Sequence, residues 1–240
     1  VKSLIVGMGE VGRALHEVLS PVHECLTYDA ADGPKPVPMV DVLHVCFPFS
    51  QGFKHSVVQY AASCDARLVL VHATVPTGTT RGINEVLANF LPPASAVHSP
   101  IHGRHPNLAP GIRTFTKYVG ACNESAGVDA VDYLRAAGIY AVLVANPETS
   151  ELSKLACTSQ TAVGVLVMQE IHRLCEESGA DFSEVYGWNE HYNAGYAKLD
   201  QAHFARPQYK YTPGKLGGHC LKPNASLFEG WMADLIKEKG

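Results

Sequence analysis

Lys2-Ser3-Leu4-Ile5-Val6 runs directly into Gly7-Met8-Gly9-Glu10-Val11-Gly12, and this junction decides the fold. A short apolar strand that empties into G-x-G-x-x-G and then into a helix is the setting in which that weak motif becomes informative. The first glycine permits a tight turn, the second lets a pyrophosphate approach the backbone, and the third lets the helix pack closely. Gly7, Gly9, Glu10, Val11 and Gly12 are therefore assigned to a dinucleotide loop. Asp29 follows Gly9 by 20 residues, at the end of a second predicted strand. Its carboxylate can accept hydrogen bonds from the adenosine ribose and repel a 2′-phosphate, which favours NAD over NADP.

Working outward, apolar runs at 2–6, 25–28, 42–46, 68–71, 94–98, 117–119 and 140–144 alternate with helical patterns at 11–19, 53–63, 81–90 and 125–137. Such alternation predicts a parallel sheet with helices on its faces, and runs apolar on both faces suit central parallel strands. The Gly/Pro-rich segment 32–38 reduces the second crossover to a loop. At Asn146-Pro147-Glu148 the character changes: Asn suits a helix cap, Pro the first helical position, and Glu the positive helix end. Leu152, Leu155, Val163, Leu166, Val167, Ile171 and Leu174 continue at mostly helical spacing until Gly179. A helix over 148–178 reaches about 46 Å, enough to join two domains or to form a homodimer seam. The expected architecture is α/β: a Rossmann-type doubly wound parallel sheet over 1–146, then a long central helix and a small helical domain over 147–240.

Composition narrows the class. With 240 residues, 46% hydrophobic and 18% charged, the chain can bury a core, which excludes disorder. No apolar run has the length of a membrane span and no leader pattern opens the chain, so a cytoplasmic protein is expected. Seven cysteines without a Cys-x-x-Cys pair argue against a disulfide framework or a four-Cys zinc site, and most read as small core residues. A net charge of −4 without a basic cluster argues against nucleic acid as a partner.

Candidate chemistry sits where open sheets bind ligands, beyond the carboxyl ends of the strands. His72-Ala73-Thr74-Val75-Pro76-Thr77-Gly78-Thr79-Thr80 leaves one strand end; Thr74 would face the cofactor, and Thr79 or Thr80 could cap the next helix. A purely structural turn is the rival reading. Glu151, Lys154 and Thr158 share a helix face, where a Lys is ordinarily a solvated charge. The loop from Pro213 to Asn224 carries Gly217-Gly218-His219-Cys220, a thiol beside His and Lys222. Such neighbours lower a thiol pKa and make a nucleophile, although a Cys in a glycine loop is more often structural.

Taken in order, Gly7–Gly12, Thr74-Val75-Pro76-x-Gly78-Thr79-Thr80, Ser99-Pro100, Glu151-x-x-Lys154 and Gly217-Gly218-His219-Cys220 resemble the UDP-glucose/GDP-mannose dehydrogenase family of the 6-phosphogluconate dehydrogenase-like superfamily. The resemblance implies NAD-dependent, two-step oxidation of a nucleotide-sugar alcohol to a carboxylate. It implies Cys220 as the nucleophile that forms a thiohemiacetal and then a thioester, Lys154 as the oxyanion stabiliser, and Thr74 as a residue positioning the catalytic water.

Departures from the family pattern are specific. Ser99-Pro100-Ile101-His102-Gly103-Arg104-His105 lacks both carboxylates expected there, Thr158 replaces an Asn, and Asn224 replaces an Asp. An amide cannot act as a general base, so thioester hydrolysis is the step affected. The 240 residues match the family's first two domains and leave none for its third, which predicts a smaller substrate or a site completed by a second chain.

Windows 86–123 and 201–228 hold no Asp or Glu but seven of the 19 basic residues, together with His98, His102, His105, His203 and His219. If both face the nicotinamide they form a positive pocket for an anionic substrate, with His102, Arg104, His105, Thr158, His219 and Asn224 as candidate contacts and His102, His105 or His219 as acid/base. Two basic surface loops are the bland reading. A metal at His98, His102, His105, His219 and Cys220 is disfavoured by Pro100, Gly103 and Pro106, and none is assigned. Two alternatives remain open: a two-electron hydroxy-acid-type dehydrogenase using Lys154 alone, and a catalytically degenerate NAD-binding protein.

Overall fold

The computed structural model describes residues 1–33, 36–91, 93–216 and 221–239. Gly217, Gly218, His219 and Cys220, the predicted nucleophile loop, lie outside the described residues, as does part of the predicted 32–38 loop. Two compact units are present, residues 1–154 and 155–240.

Unit 1 is a seven-stranded sheet. Its strands are β1 (Lys2–Val6), β2 (Glu24–Tyr28), β3 (Val42–Val45), β4 (Leu68–Val71), β5 (Ser95–His98), β6 (Lys117–Ala121) and β7 (Ala141–Val144), in the order β2-β1-β3-β4-β5-β6-β7. All neighbours pair in parallel, as expected of this fold, except β5 and β6, which pair antiparallel. Strand order reverses between β1 and β3, the switch point at which such sheets open a ligand crevice.

Alternation along the strands divides the core. Leu4, Val6, Leu43, Val45, Val69 and Val71 face α2 (Phe53–Ser63) and α3 (Thr79–Phe90). Ile5, Val42, Leu68, Leu70, Val97 and Val119 face α1 (Glu10–Leu19), α4 (Ala109–Thr114) and α5 (Glu124–Ala136). Strands β3 and β4 are buried along their whole length, as their two-sided apolar character requires.

The long helix α6 (Pro147–Ser178) begins where expected, with Asn146 Oδ1 accepting the Thr149 N–H at 2.9 Å. Its first turns belong to unit 1. Ser150 Oγ meets His98 Nδ1 at 2.8 Å, and Gly120 leaves the room this requires, since a Cβ there would lie 2.4 Å from Ser150 Oγ.

Unit 2 continues α6 and adds α7 (Phe182–Lys198), α8 (Leu221–Ala225) and α9 (Trp231–Lys239). Its buried apolar centre is small: Ala162, Leu216, Ala225 and Ile236. The Tyr209 ring packs on Gly164, and Gln169 donates to the carbonyls of Thr212 and Gly214. Helices α4 and α7 were not expected from periodicity. Of the described cysteines Cys64 and Cys175 are buried, Cys25 and Cys46 are half-buried and pack against the core, and Cys122 and Cys157 are exposed. Among the described residues no helix is long and apolar enough to cross a membrane.

Candidate active site

The dinucleotide loop is built as its glycines require. Gly7 adopts φ +94°, and a Cβ there would press on the backbone of Phe47 at 2.8 Å. A Cβ on Gly12 would collide with the Gly7 carbonyl at 2.0 Å, so close packing of α1 on the loop demands glycine. Gly9 differs, since nothing lies within 4 Å of a Cβ built there, which leaves open space at the N-terminus of α1. That space and the helix end suit a pyrophosphate. Glu10 and Val11 follow in the first turn of α1, and the Glu10 carboxylate is turned to His105 Nδ1.

Asp29 follows directly on the end of β2. Its Oδ2 accepts the Met8 N–H at 2.7 Å and its Oδ1 the Ala31 N–H at 3.0 Å. These two backbone donors hold its carboxyl below the usual carboxylate range, so an anion stands beside the loop. The loop, the helix end and Asp29 fit a nicotinamide dinucleotide.

The second part of the site lies at the carboxyl ends of β4 and β5. Thr74 is half-buried in the loop from β4 to α3. Thr79 and Thr80 were expected to cap α3, but Gly78 occupies the cap position at φ +88° and the capping acceptor comes from α6. Glu151, fully buried, accepts the Gly78 N–H through Oε2 at 2.6 Å and the Thr80 N–H through Oε1 at 2.8 Å. Burial raises its pKa, and the two N–H groups act against that rise. One turn later, Lys154 Nζ donates to the Ile101 carbonyl at 2.8 Å. Glu151 and Lys154 thus tie α6 to the loops after β4 and β5.

Half-buried His102 follows Ile101, and burial with the charges of Lys154 and Lys117 lowers its pKa. Arg104 is exposed. His105, expected at the substrate, contacts Glu10 of the dinucleotide loop. Two basic residues expected to face a ligand are committed elsewhere. Lys117 is buried and donates to the carbonyls of Ser99 and Pro100 at 2.7 and 3.0 Å. Arg206 lies over the Tyr192 ring and donates to the Phe204 carbonyl. Within unit 2, Thr158 and Asn224 come together, with Asn224 Nδ2 3.4 Å from Thr158 Oγ1. Among the described residues no three His, Cys, Asp or Glu side chains form a group able to hold a metal.

Sequence reasoning missed a buried polar row beneath this site. Tyr133 Oη, His44 and His72 are linked at 2.9 Å each, and His72 Nδ1 reaches the Ser99 carbonyl at 2.6 Å. The only signal was polar residues in predicted strands, His44 within 42–46 and Lys117 opening 117–119.

No protein-family model matches this chain, and no curated protein matches it by sequence. Its fold matches solved structures. UDP-D-ManNAc dehydrogenase from Pyrococcus horikoshii matches with a TM-score of 0.78 at 15% identity, over 99% of this chain and 68% of that one. UDP-glucose dehydrogenase from Pyrobaculum islandicum matches at 0.68 and 18% identity, over 98% and 63%. Mycobacterium tuberculosis 3-hydroxyisobutyrate dehydrogenase, solved with L-serine, matches at 0.71 and 14% identity, over 99% and 91%. The chain spans about two thirds of the length of the UDP-sugar dehydrogenases it matches. At these identities the likeness is one of fold, a dinucleotide-binding dehydrogenase fold, and the resemblance read from the motifs holds at that level.

Proposed function

We propose that the protein is an NAD-dependent dehydrogenase that oxidises the hydroxyl group of an anionic, sugar-derived substrate. The observation that carries this reading is the seat of Lys154, an ammonium held on the Ile101 carbonyl in the same unit as a well-formed dinucleotide loop. The bound cofactor supplies the hydride acceptor. Asp29 binds the adenosine ribose and disfavours a 2′-phosphate. Lys154 stabilises the substrate oxygen as it loses its proton, the place where a preorganised cation contributes most. Half-buried His102 exchanges that proton, and exposed Arg104 recruits the substrate anion.

The same reading assigns a second oxidation to Cys220. Its sulfur adds to the aldehyde carbon to give a thiohemiacetal, and departure of a second hydride leaves a thioester. Water, positioned by Thr74, cleaves this to the carboxylate and returns the thiol. Each alcohol then reduces two NAD. Thr158, His219 and Asn224 contact substrate. Counting NADH per alcohol consumed tests this: two supports the covalent route, and Cys220→Ser should stop at the aldehyde.

A two-electron route using Lys154 alone is favoured by one observation, the absence of any carboxylate between Val86 and Asn123. A count of one NADH, unchanged by Cys220→Ser, selects it. Tight NAD binding without turnover of any sugar nucleotide, sugar phosphate or hydroxy acid would instead identify a degenerate binding protein. We also propose a cytoplasmic homodimer joined through helix 148–178. Val167 and Leu174 on α6 and Val185 and Trp188 on α7 are exposed large apolar residues, and burying them against a second copy would enlarge a small core. Light scattering that gives a monomer mass would refute the dimer.

A further inference from the structure

Three successive backbone carbonyls, of Ser99, Pro100 and Ile101, are held by charged or polar side chains from three elements. Lys117 of β6 takes the first two at 2.7 and 3.0 Å, Lys154 of α6 takes the third at 2.8 Å, and His72 beyond β4 shares the first at 2.6 Å. A carbonyl only accepts, so His72 Nδ1 carries the proton there. Its Nε2 therefore accepts from His44 Nδ1, and His44 Nε2 accepts from the Tyr133 hydroxyl. The whole row donates in one direction, into the Ser99 carbonyl.

Lys117 is the costly member. It is 3% exposed, and removing an ammonium from water costs several kcal/mol unless an anion compensates. The titratable groups that face it are His44 and Cys46 from β3 and the loop after it, His72 from the loop after β4, His98 from β5, His102 from the following loop and Lys154 from α6. None is a carboxylate. What Lys117 supplies is reach and placement, one side chain from β6 that holds two successive carbonyls at 2.7 and 3.0 Å.

We propose that Lys117 is a positioning residue of the active site: from the buried side it fixes the carbonyls of Ser99 and Pro100, so that the next carbonyl, of Ile101, is aimed at Lys154 and seats its ammonium. This rests on Lys154 being the group that meets substrate. Burial and the Lys154 charge pull the Lys117 pKa down to about 7, and its N–H groups still donate once that proton is lost.

The test reads Lys154 directly in the full chain. Acetylation by a water-soluble N-hydroxysuccinimide ester is followed by peptide mass spectrometry, with exposed Lys239 as internal standard. At about pH 8.5 Lys117 is largely neutral, so hydrogen bonding rather than charge repulsion is compared. Lys117→Met should raise Lys154 labelling about tenfold, because an amine released from its carbonyl loses its proton more readily. Lys117→Arg, which can donate to both carbonyls, should bring labelling clearly below that of Lys117→Met, though its permanent charge, which still repels the Lys154 ammonium, keeps it above the original. If Lys117→Met does not fold by circular dichroism, Lys117→Thr replaces it, since the vacated volume admits water to the carbonyls. Unchanged Lys154 labelling in a folded Met or Thr variant overturns the proposal, and so does failure of Arg to bring it below that of Lys117→Met. The readout needs no turnover. Inactivity toward every hydroxy substrate would therefore overturn the proposed reaction and leave this placement standing.

Discussion

The carboxylate of Glu151 lies 2.6 Å from the backbone N–H of Gly78, a hydrogen bond between residues 73 positions apart. With its companion to Thr80, it makes a residue of α6 the N-terminal cap of α3. Glu151→Ala leaves the buried Thr80 N–H unpaired, at roughly 1–3 kcal/mol, and the half-buried Gly78 N–H at about 1 kcal/mol, so urea unfolding of the variant should show a loss of about 2–4 kcal/mol. Glu151→Gln keeps one acceptor and should lose about half as much. A midpoint for Glu151→Ala equal to that of the original chain would show that the cap contributes nothing.

Asp29 makes a second prediction, about cofactor choice. Its carboxylate is held ionised by the N–H groups of Met8 and Ala31 at the point where the adenosine ribose would lie. NADH should bind at least about tenfold more tightly than NADPH, and Asp29→Asn should narrow that gap by weakening NADH and removing the repulsion of the 2′-phosphate. Fluorescence titration with both dinucleotides measures it. Equal affinities in the original chain would contradict the assignment.

Buried imidazoles set the acid limit. His44 is pushed down to about 3 and His98 to about 3, and His72 lies well below its ordinary value, in each case chiefly by burial. The folded state keeps them neutral while the unfolded chain protonates them near pH 6.5. Stability is therefore fully present above about pH 6.5 and falls as pH drops toward 3, by up to about 1.4 kcal/mol per pH unit for each histidine. Urea midpoints should fall steeply from pH 7 to pH 5. His98→Gln should flatten that dependence; a slope identical to the original would refute a neutral buried His98.

Lys117 acts on the alkaline side. Its proton is lost near pH 7 in the folded state but near 10.5 in the unfolded chain, so stability should keep rising from pH 7 to pH 9, by up to about 1.4 kcal/mol per unit. Lys117→Met should abolish the rise. Flat or falling stability across this range in the original chain would show that Lys117 is not held buried.

Much of this architecture was legible because it depends on neighbours in sequence. The strand, glycine loop and helix over residues 2–19, the alternation that follows, and the Asn146 start of α6 all rest on local chemistry. The antiparallel turn of β6 was hidden, since an apolar run does not state its direction. Helix α7 has an Asp181-x-x-Glu184 start, with Asp181 accepting the Glu184 N–H, but buries no residue and so lacks a clean apolar stripe. Lys154 was singled out through its motif. Lys117 was expected to face a ligand, and its actual partners, the carbonyls of Ser99 and Pro100, were hidden because they are 17 or more positions away. Glu151 likewise revealed its helix face but not the helix end it caps.

We propose that Lys154, seated on the Ile101 carbonyl, meets the substrate oxygen during hydride transfer. The most direct measurement of this is nicotinamide reduction with NAD across sugar nucleotides, sugar phosphates and 3-hydroxy acids, comparing the original chain with Lys154→Gln. At least one anionic hydroxy substrate should be oxidised, and Lys154→Gln should lower kcat about 10²–10³-fold while NADH affinity holds. Full activity in Lys154→Gln, or no reduction with any of these substrates by a chain that binds NAD, would contradict the account.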